Sequence, residues 1–129
     1  MKTKTRLGLL FASAVLALSL TGCVAVVAGA AGAGTVAYVE GRIDAPLNAN
    51  YTKSRQAVDL AIKQLEFALI NEHHDALTAY FTARTAGDKK ISITLMKVTD
   101  STSRVQIRVG IFGDENLSLT VLNKIKANL

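Results

Sequence analysis

From Leu7 to Val39 the chain carries no charged residue, whereas from Glu40 to Leu129 charged and apolar residues alternate throughout. No other feature constrains the fold of these 129 residues as strongly. The 50% hydrophobic content is therefore an average over two unlike regions. Alternation is what a water-soluble domain needs, because it gives each strand or helix one apolar and one polar side. The soluble domain is thus confined to the region after the uncharged stretch, about ninety residues, a size that can bury a modest core without disulfides or metal.

The first third reads as a targeting segment. Met1–Arg6 is short and basic, Leu7–Leu20 is mostly apolar, and small residues follow in Ser19-Leu20-Thr21-Gly22-Cys23. A basic start, an apolar run of about 7–15 residues and a small-residue cleavage site describe a secretory signal. The run alone is shorter than the roughly 20 apolar residues that span a bilayer. Leu20-Thr21-Gly22-Cys23 resembles the lipobox of bacterial lipoproteins. That resemblance implies cleavage between Gly22 and Cys23, diacylglycerol on the Cys23 thiol, and acylation of the new amine. Cys23 is the only cysteine, which excludes an internal disulfide and any CxxC metal or redox motif. A single myristoyl chain binds a membrane marginally, at about 0.8 kcal/mol per buried CH₂, so two or three chains on one residue give a durable anchor. Val24 follows the cysteine, with no acidic residue to act as an inner-membrane retention signal. In a Gram-negative host the resemblance therefore implies the periplasmic side of the outer membrane.

An uncleaved membrane helix from Leu7 to Val39 is the competing reading. The glycines of Ala28-Gly29-Ala30-Ala31-Gly32-Ala33-Gly34 argue against it by helix propensity. Residues 23–37 read as a lipidated cysteine with a Gly/Ala-rich tether. The spacing of Ala25, Gly29 and Ala33 leaves a small-xxx-small helix contact as the alternative.

The net charge of +5 says little about partners. Lys2, Lys4 and Arg6 belong to the leader; without them 12 basic residues face 10 acidic ones, or +2. No basic run exceeds Lys89-Lys90 and there is no Trp, so nothing points to nucleic acid.

Residues 38–129 read as one α+β domain. Val39, Gly41, Ile43, Ala45 and Leu47 alternate with Glu40, Arg42 and Asp44, a single half-buried strand within residues 36–49, with Pro46 marking an edge or an end. A helix over about Thr52–Phe67 follows, with Val58, Ala61, Ile62, Leu65 and Leu69 as its stripe and Asn50, Thr52 or Ser54 as its cap. Residues 67–72 fit either a short strand or a continuation of that helix. Three strands come next, with Leu77, Ala79, Phe81 and Ala83, then Ile91, Ile93 and Leu95, then Val105, Ile107 and Val109 facing inward. Turns at Ala86-Gly87-Asp88-Lys89 and Asp100-Ser101-Thr102-Ser103 make them an antiparallel meander with one wet face. A last helix is capped at Gly113-Asp114, with Leu117, Val121, Leu122, Ile125 and Leu129 inward. The expected fold is a two-layer sandwich: an antiparallel sheet of four or five strands with two helices on one face, in the order β-α-β-β-β(-β)-α.

Arg108-Val109-Gly110-Ile111-Phe112-Gly113-Asp114-Glu115, the Thr35-Val36-Ala37 lead into Tyr38-Val39-Glu40-Gly41, and the Gly/Ala-rich tether are similar to a family of small bacterial lipoproteins described as a domain of unknown function, family 3568. The resemblance brings no activity. More loosely, the element order is similar to the helix-grip domains of a lipoprotein component of the outer-membrane barrel assembly machinery, which is an analogy of fold and does not fix function.

Few residues suggest chemistry. His73-His74-Asp75 could ligate a metal, but neighbours on an extended chain point to opposite sides, and a polar turn is the simpler reading. Gly110-Ile111-Phe112-Gly113-Asp114-Glu115 lacks the Lys and Ser/Thr of a phosphate loop and reads as a structural turn in which Gly110 and Gly113 supply unusual dihedrals, Phe112 plugs the end of the core and Asp114 opens the helix. No nucleophile elbow or carboxylate pair is present. Arg84, Arg104 and Arg108 share the wet face with Thr78, Tyr80, Thr82, Ser92 and Thr94, a face that either binds a polar partner or meets water. The expectation is a non-enzymatic envelope lipoprotein without cofactor or metal, held on a membrane through Cys23 and acting as an interaction or accessory module. The alternative is a small-ligand-binding lipoprotein using the open sheet face or a sheet–helix groove.

Overall fold

The computed structural model describes residues 36–129. Cys23, the Gly22–Cys23 junction and the tether up to Thr35 lie outside the described residues. Strands β1 (Ala37–Val39) and β2 (Arg42–Leu47) precede helix α1 (Tyr51–Gln64). Strands β3 (Ala68–His74), β4 (Thr78–Arg84), β5 (Lys90–Lys97) and β6 (Ser103–Val109) lead to helix α2 (Glu115–Ala127). One sheet contains all six strands in the order β1-β2-β6-β5-β4-β3, every neighbouring pair antiparallel.

Period-two alternation builds the core. Ile43, Ala45 and Leu47 of β2, Ala79, Phe81 and Ala83 of β4, Ile91, Ile93 and Leu95 of β5, and Val105, Ile107 and Val109 of β6 are all fully buried on one side of the sheet. Ala57, Val58, Ala61 and Ile62 of α1 and Val121, Leu122 and Ile125 of α2 cover them. Both helices therefore lie on the same face, giving a two-layer α+β domain. This cluster runs from Ile43 to Ile125, so residues 36–129 hold a complete core of their own.

Each helix begins where a side chain satisfies an otherwise unpaired amide. Asn50, in an extended conformation, accepts from the Lys53 amide at 2.8 Å. Asp114 accepts from Leu117 at 3.0 Å, with Glu115 in the first turn and Lys124 and Lys126 in the last, all in the sense the helix dipole favours. A buried serine pair ties α1 to the sheet: the Ser54 and Ser103 hydroxyls lie 2.6 Å apart, and Ser103 donates to the Ala49 carbonyl at 3.0 Å.

Several expectations change. The single strand over 36–49 is a hairpin, because Glu40 (φ +53°) and Gly41 (φ +77°) reverse the chain as a two-residue turn does. Val39 then pairs with Arg42, so it stands on the open face, 60% exposed, instead of with Ile43 in the core. α1 stops at Gln64, short of Phe67, with Glu66 at φ +60°, and residues 68–74 form a strand. Leu69 consequently leaves the helical stripe and sits in β3, 41% exposed. Hairpin and β3 together raise the strand count to six. Leu77, placed inward by the alternation, precedes β4 and is also exposed.

Pro46 sits beyond the reach of β1, which pairs with β2 only as far as Asp44, so its missing N–H leaves no ladder bond unmade on that side.

Candidate functional site

The face of the sheet away from the helices is assembled by strand register. Paired residues share a face, so the register places Thr78, Met96 and Arg104 in one row, Tyr80, Thr94, Gln106 and Asp44 in the next, and Thr82, Ser92, Arg108 and Arg42 in a third; Arg84 pairs with Lys90 beyond them. All eight residues expected on the wet face are brought together there. Arg42, Asp44, Lys90 and Gln106 join them. Their signal is present in the sequence as positions out of phase with Ile43, Ile91 and Ile107.

Hydrogen bonds divide this face. Asp44 accepts from the Arg104 guanidinium through one carboxylate oxygen and from Gln106 Nε2 at 3.1 Å through the other. Gln106 Oε1 in turn accepts from Arg42 at 3.2 Å. This network uses the Asp44 charge on Arg104. Arg42 and Arg108, direct register partners, have no ion-pair carboxylate among the described residues, and neither has Lys90.

At the end of the face where these cations gather, an open groove of about 980 Å³ lies between Arg84, Lys90, Ser92 and Arg108 and the loop 110–114. Arg84 is paired with Asp88 at 2.9 Å and Lys89 with Asp114 at 3.1 Å, so four cations stand against two carboxylates. The Leu117 amide, and after it the Lys89 ammonium, hold the Asp114 carboxyl below the ordinary carboxylate range.

The loop keeps part of its expected role. Gly110 (φ +72°) and Gly113 (φ +89°) do supply left-handed backbone, and Asp114 opens α2. Phe112 does not plug the core: it is 93% exposed, and Ile111 is 81% exposed. Backbone, not a ring, closes this end. A Cβ on Gly41 would stand 2.6 Å from the Phe112 carbonyl oxygen, and one on Gly113 would stand 2.5 Å from Gly41 Cα. Glycines in both loops permit that approach.

His73 and His74 end β3, opposite Tyr80 and Ala79, and so face opposite sides of the sheet. The Glu72 carboxylate lies 3.6 Å from His74 Nδ1. Asp75 closes the following turn by accepting from the Leu77 and Thr78 amides at 2.7 and 2.8 Å, bonds that hold its carboxyl low. Burial pushes the Tyr51 phenol up, and its hydroxyl donates to the Asp75 carbonyl at 2.9 Å. Among the described residues no group of three or more His, Cys, Asp or Glu is placed to hold a metal, and no helix is long and apolar enough to cross a membrane.

These features define a class: a small two-layer α+β domain whose core fills one side of the sheet and whose other side is polar. The family model described as protein of unknown function (DUF3568) matches residues 6–128, and the chain belongs to that family. No curated protein matches the chain.

Proposed function

We propose that the chain is a bacterial lipoprotein, cleaved between Gly22 and Cys23 and held in the cell envelope by lipid on Cys23, on the periplasmic side of the outer membrane in a Gram-negative host. Its domain acts without catalysis, as an interaction module that presents the open sheet face. One observation carries the module reading. The sheet–helix interface is filled by buried side chains, while the other face of the same strands carries Arg104 and Lys90, exposed, and Arg42 and Arg108, half-buried. The sole cysteine, at the end of a signal-like apolar run, supports the anchor.

Two experiments test this. Cys23→Ala should abolish incorporation of labelled palmitate and either release the protein from membranes or block its processing; unchanged labelling refutes the anchor. A photo-crosslinking residue at Thr94, on the open face, should capture a discrete envelope partner in intact cells. The same residue at Lys63, on the exposed side of α1, should not. Equal capture from both positions refutes the module reading.

A small anionic ligand in the groove beside loop 110–114 is the second reading, favoured by Lys90 and Arg108, which line it and have no ion-pair carboxylate among the described residues. The filled interface gives no support to a ligand between sheet and helices.

A further inference from the structure

Loop 110–113 holds its two large apolar side chains in water, and slack backbone does not explain it. The Arg108 guanidinium donates to the Ile111 carbonyl, the Asp114 side chain caps α2, and the Gly113 backbone packs on Gly41. The loop is built, and it projects Ile111 and Phe112 outward. Adjacent exposed apolar side chains on an ordered loop mark a contact surface.

The charges behind the loop narrow the kind of surface. Like charges directly opposite each other destabilise a sheet, yet Arg42 and Arg108 are register partners. Lys90 and Arg108 both line the groove beside the loop. An apolar tip backed by cations that have no carboxylate partner among the described residues fits the interface of an anionic bilayer. There apolar side chains settle at the headgroup–acyl boundary and each nearby Lys or Arg gains about 1 kcal/mol from the surface potential. We propose that this end of the domain docks on an anionic phospholipid surface. Ile111 and Phe112 enter the boundary region, and Arg108, Lys90 and Arg42 engage headgroup phosphates. Docking deepens the anchored-lipoprotein reading, because a tether keeps the domain at high effective concentration beside the bilayer. It does not depend on Cys23 itself.

The chain has no tryptophan, so Phe112→Trp places a unique fluorophore at the tip. Residues 36–129 carrying this substitution, mixed with vesicles of phosphatidylglycerol and phosphatidylcholine, should show a blue-shifted emission and co-sediment with the lipid. Pure phosphatidylcholine should produce neither, and added salt should reverse both. Without the fluorophore, Ile111→Ser with Phe112→Ser should lower partitioning at least about tenfold. Lys90→Ala and Arg108→Ala should each lower it about fivefold. Absence of both shift and co-sedimentation, or equal binding to the neutral vesicles, overturns the proposal. Displacement by millimolar inorganic phosphate also overturns it, in favour of a free-anion site. The full chain with Phe112→Trp, reconstituted in the same vesicles, gives a second reading: brominated lipid should quench the fluorophore, and unquenched emission overturns the proposal. A failure of palmitate labelling removes the anchor and leaves the result on residues 36–129 standing.

Discussion

The two sides of the sheet use the same strands and reach opposite ends. On the helix side every second residue of β2, β4 and β6, and of β5 as far as Leu95, is buried, and the packing leaves no choice of neighbour. On the open side the intervening residues meet each other only through the register, and their charges are unevenly matched, with Asp44 occupied by Arg104 and Arg42 left facing Arg108. The contrast teaches that alternation specifies which residues form a core. It specifies only which residues share a face on the other side, and the charge imbalance there is where function has room to act.

The comparison breaks most visibly at two identical side chains. Phe81 is 1% exposed in the middle of β4, and Phe112 is 93% exposed on the loop before α2. Truncating a buried Phe removes its transfer energy and leaves a cavity, so Phe81→Ala should cost about 3–5 kcal/mol of stability. Phe112→Ser should change stability by no more than about 0.5 kcal/mol. Urea titration of the two variants measures both. A large loss at Phe112 would mean that the ring is packed after all.

A smaller contrast separates two glycines of the same loop. Both Gly110 and Gly113 have positive φ, but a Cβ at Gly110 meets nothing within 4 Å, whereas at Gly113 it strikes the Gly41 backbone. Gly110→Ala should cost about 1 kcal/mol, for backbone strain alone. Gly113→Ala should cost about 2–4 kcal/mol, strain plus the displaced β1–β2 turn. Equal losses would show that the two loops are not held by that contact.

How legible these features are in the sequence follows from the range of the forces involved. The inward faces of β4, β5 and β6, the stripe of α2 and its Asp114 cap are local patterns, and each stands where the alternation or the capping residue puts it. Alternation misplaces Val39 because Glu40-Gly41 is a turn whose glycine passes for a strand position, and a two-residue reversal changes the parity of everything before it. Phe112 escapes a sequence reading because hydrophobicity alone does not place a loop residue. What keeps it outside is the Gly41–Gly113 approach, a contact between residues more than seventy positions apart. The pairing of Arg42 with Arg108 has the same origin: it needs β2 beside β6, which no local pattern reveals.

Within the core the contrast continues at two buried serines. Ser103 bonds both Ser54 and the Ala49 carbonyl, while the Ser118 hydroxyl, equally buried, has no partner among the described residues. Ser103→Ala should cost about 1–2 kcal/mol, because it also strips Ser54 of its closest partner. Ser118→Ala should be neutral or stabilising, since it removes a desolvated hydroxyl that gains nothing in return. Thermal denaturation of the pair reads the difference, and a matching loss at Ser118 would reveal a hydrogen bond to that hydroxyl.

The smallest effect concerns acid. Asp114 and Asp75 each accept backbone amides, and both carboxyls titrate below the ordinary carboxylate range. A carboxyl depressed in the folded state binds fewer protons there than in the unfolded chain. Its contribution to stability is therefore complete above the unfolded pKa and is lost as pH falls through the folded one. Stability should accordingly decline on acidification from about pH 4 downward. Asp114→Asn keeps an acceptor at the helix start and Asp75→Asn keeps one in the turn, so each should flatten that decline while leaving the neutral-pH fold intact. Asp114→Asn should also release Lys89 from its ion pair, adding one uncompensated cation to the groove. If the acid limb keeps its slope in the double variant, these two carboxyls do not govern it.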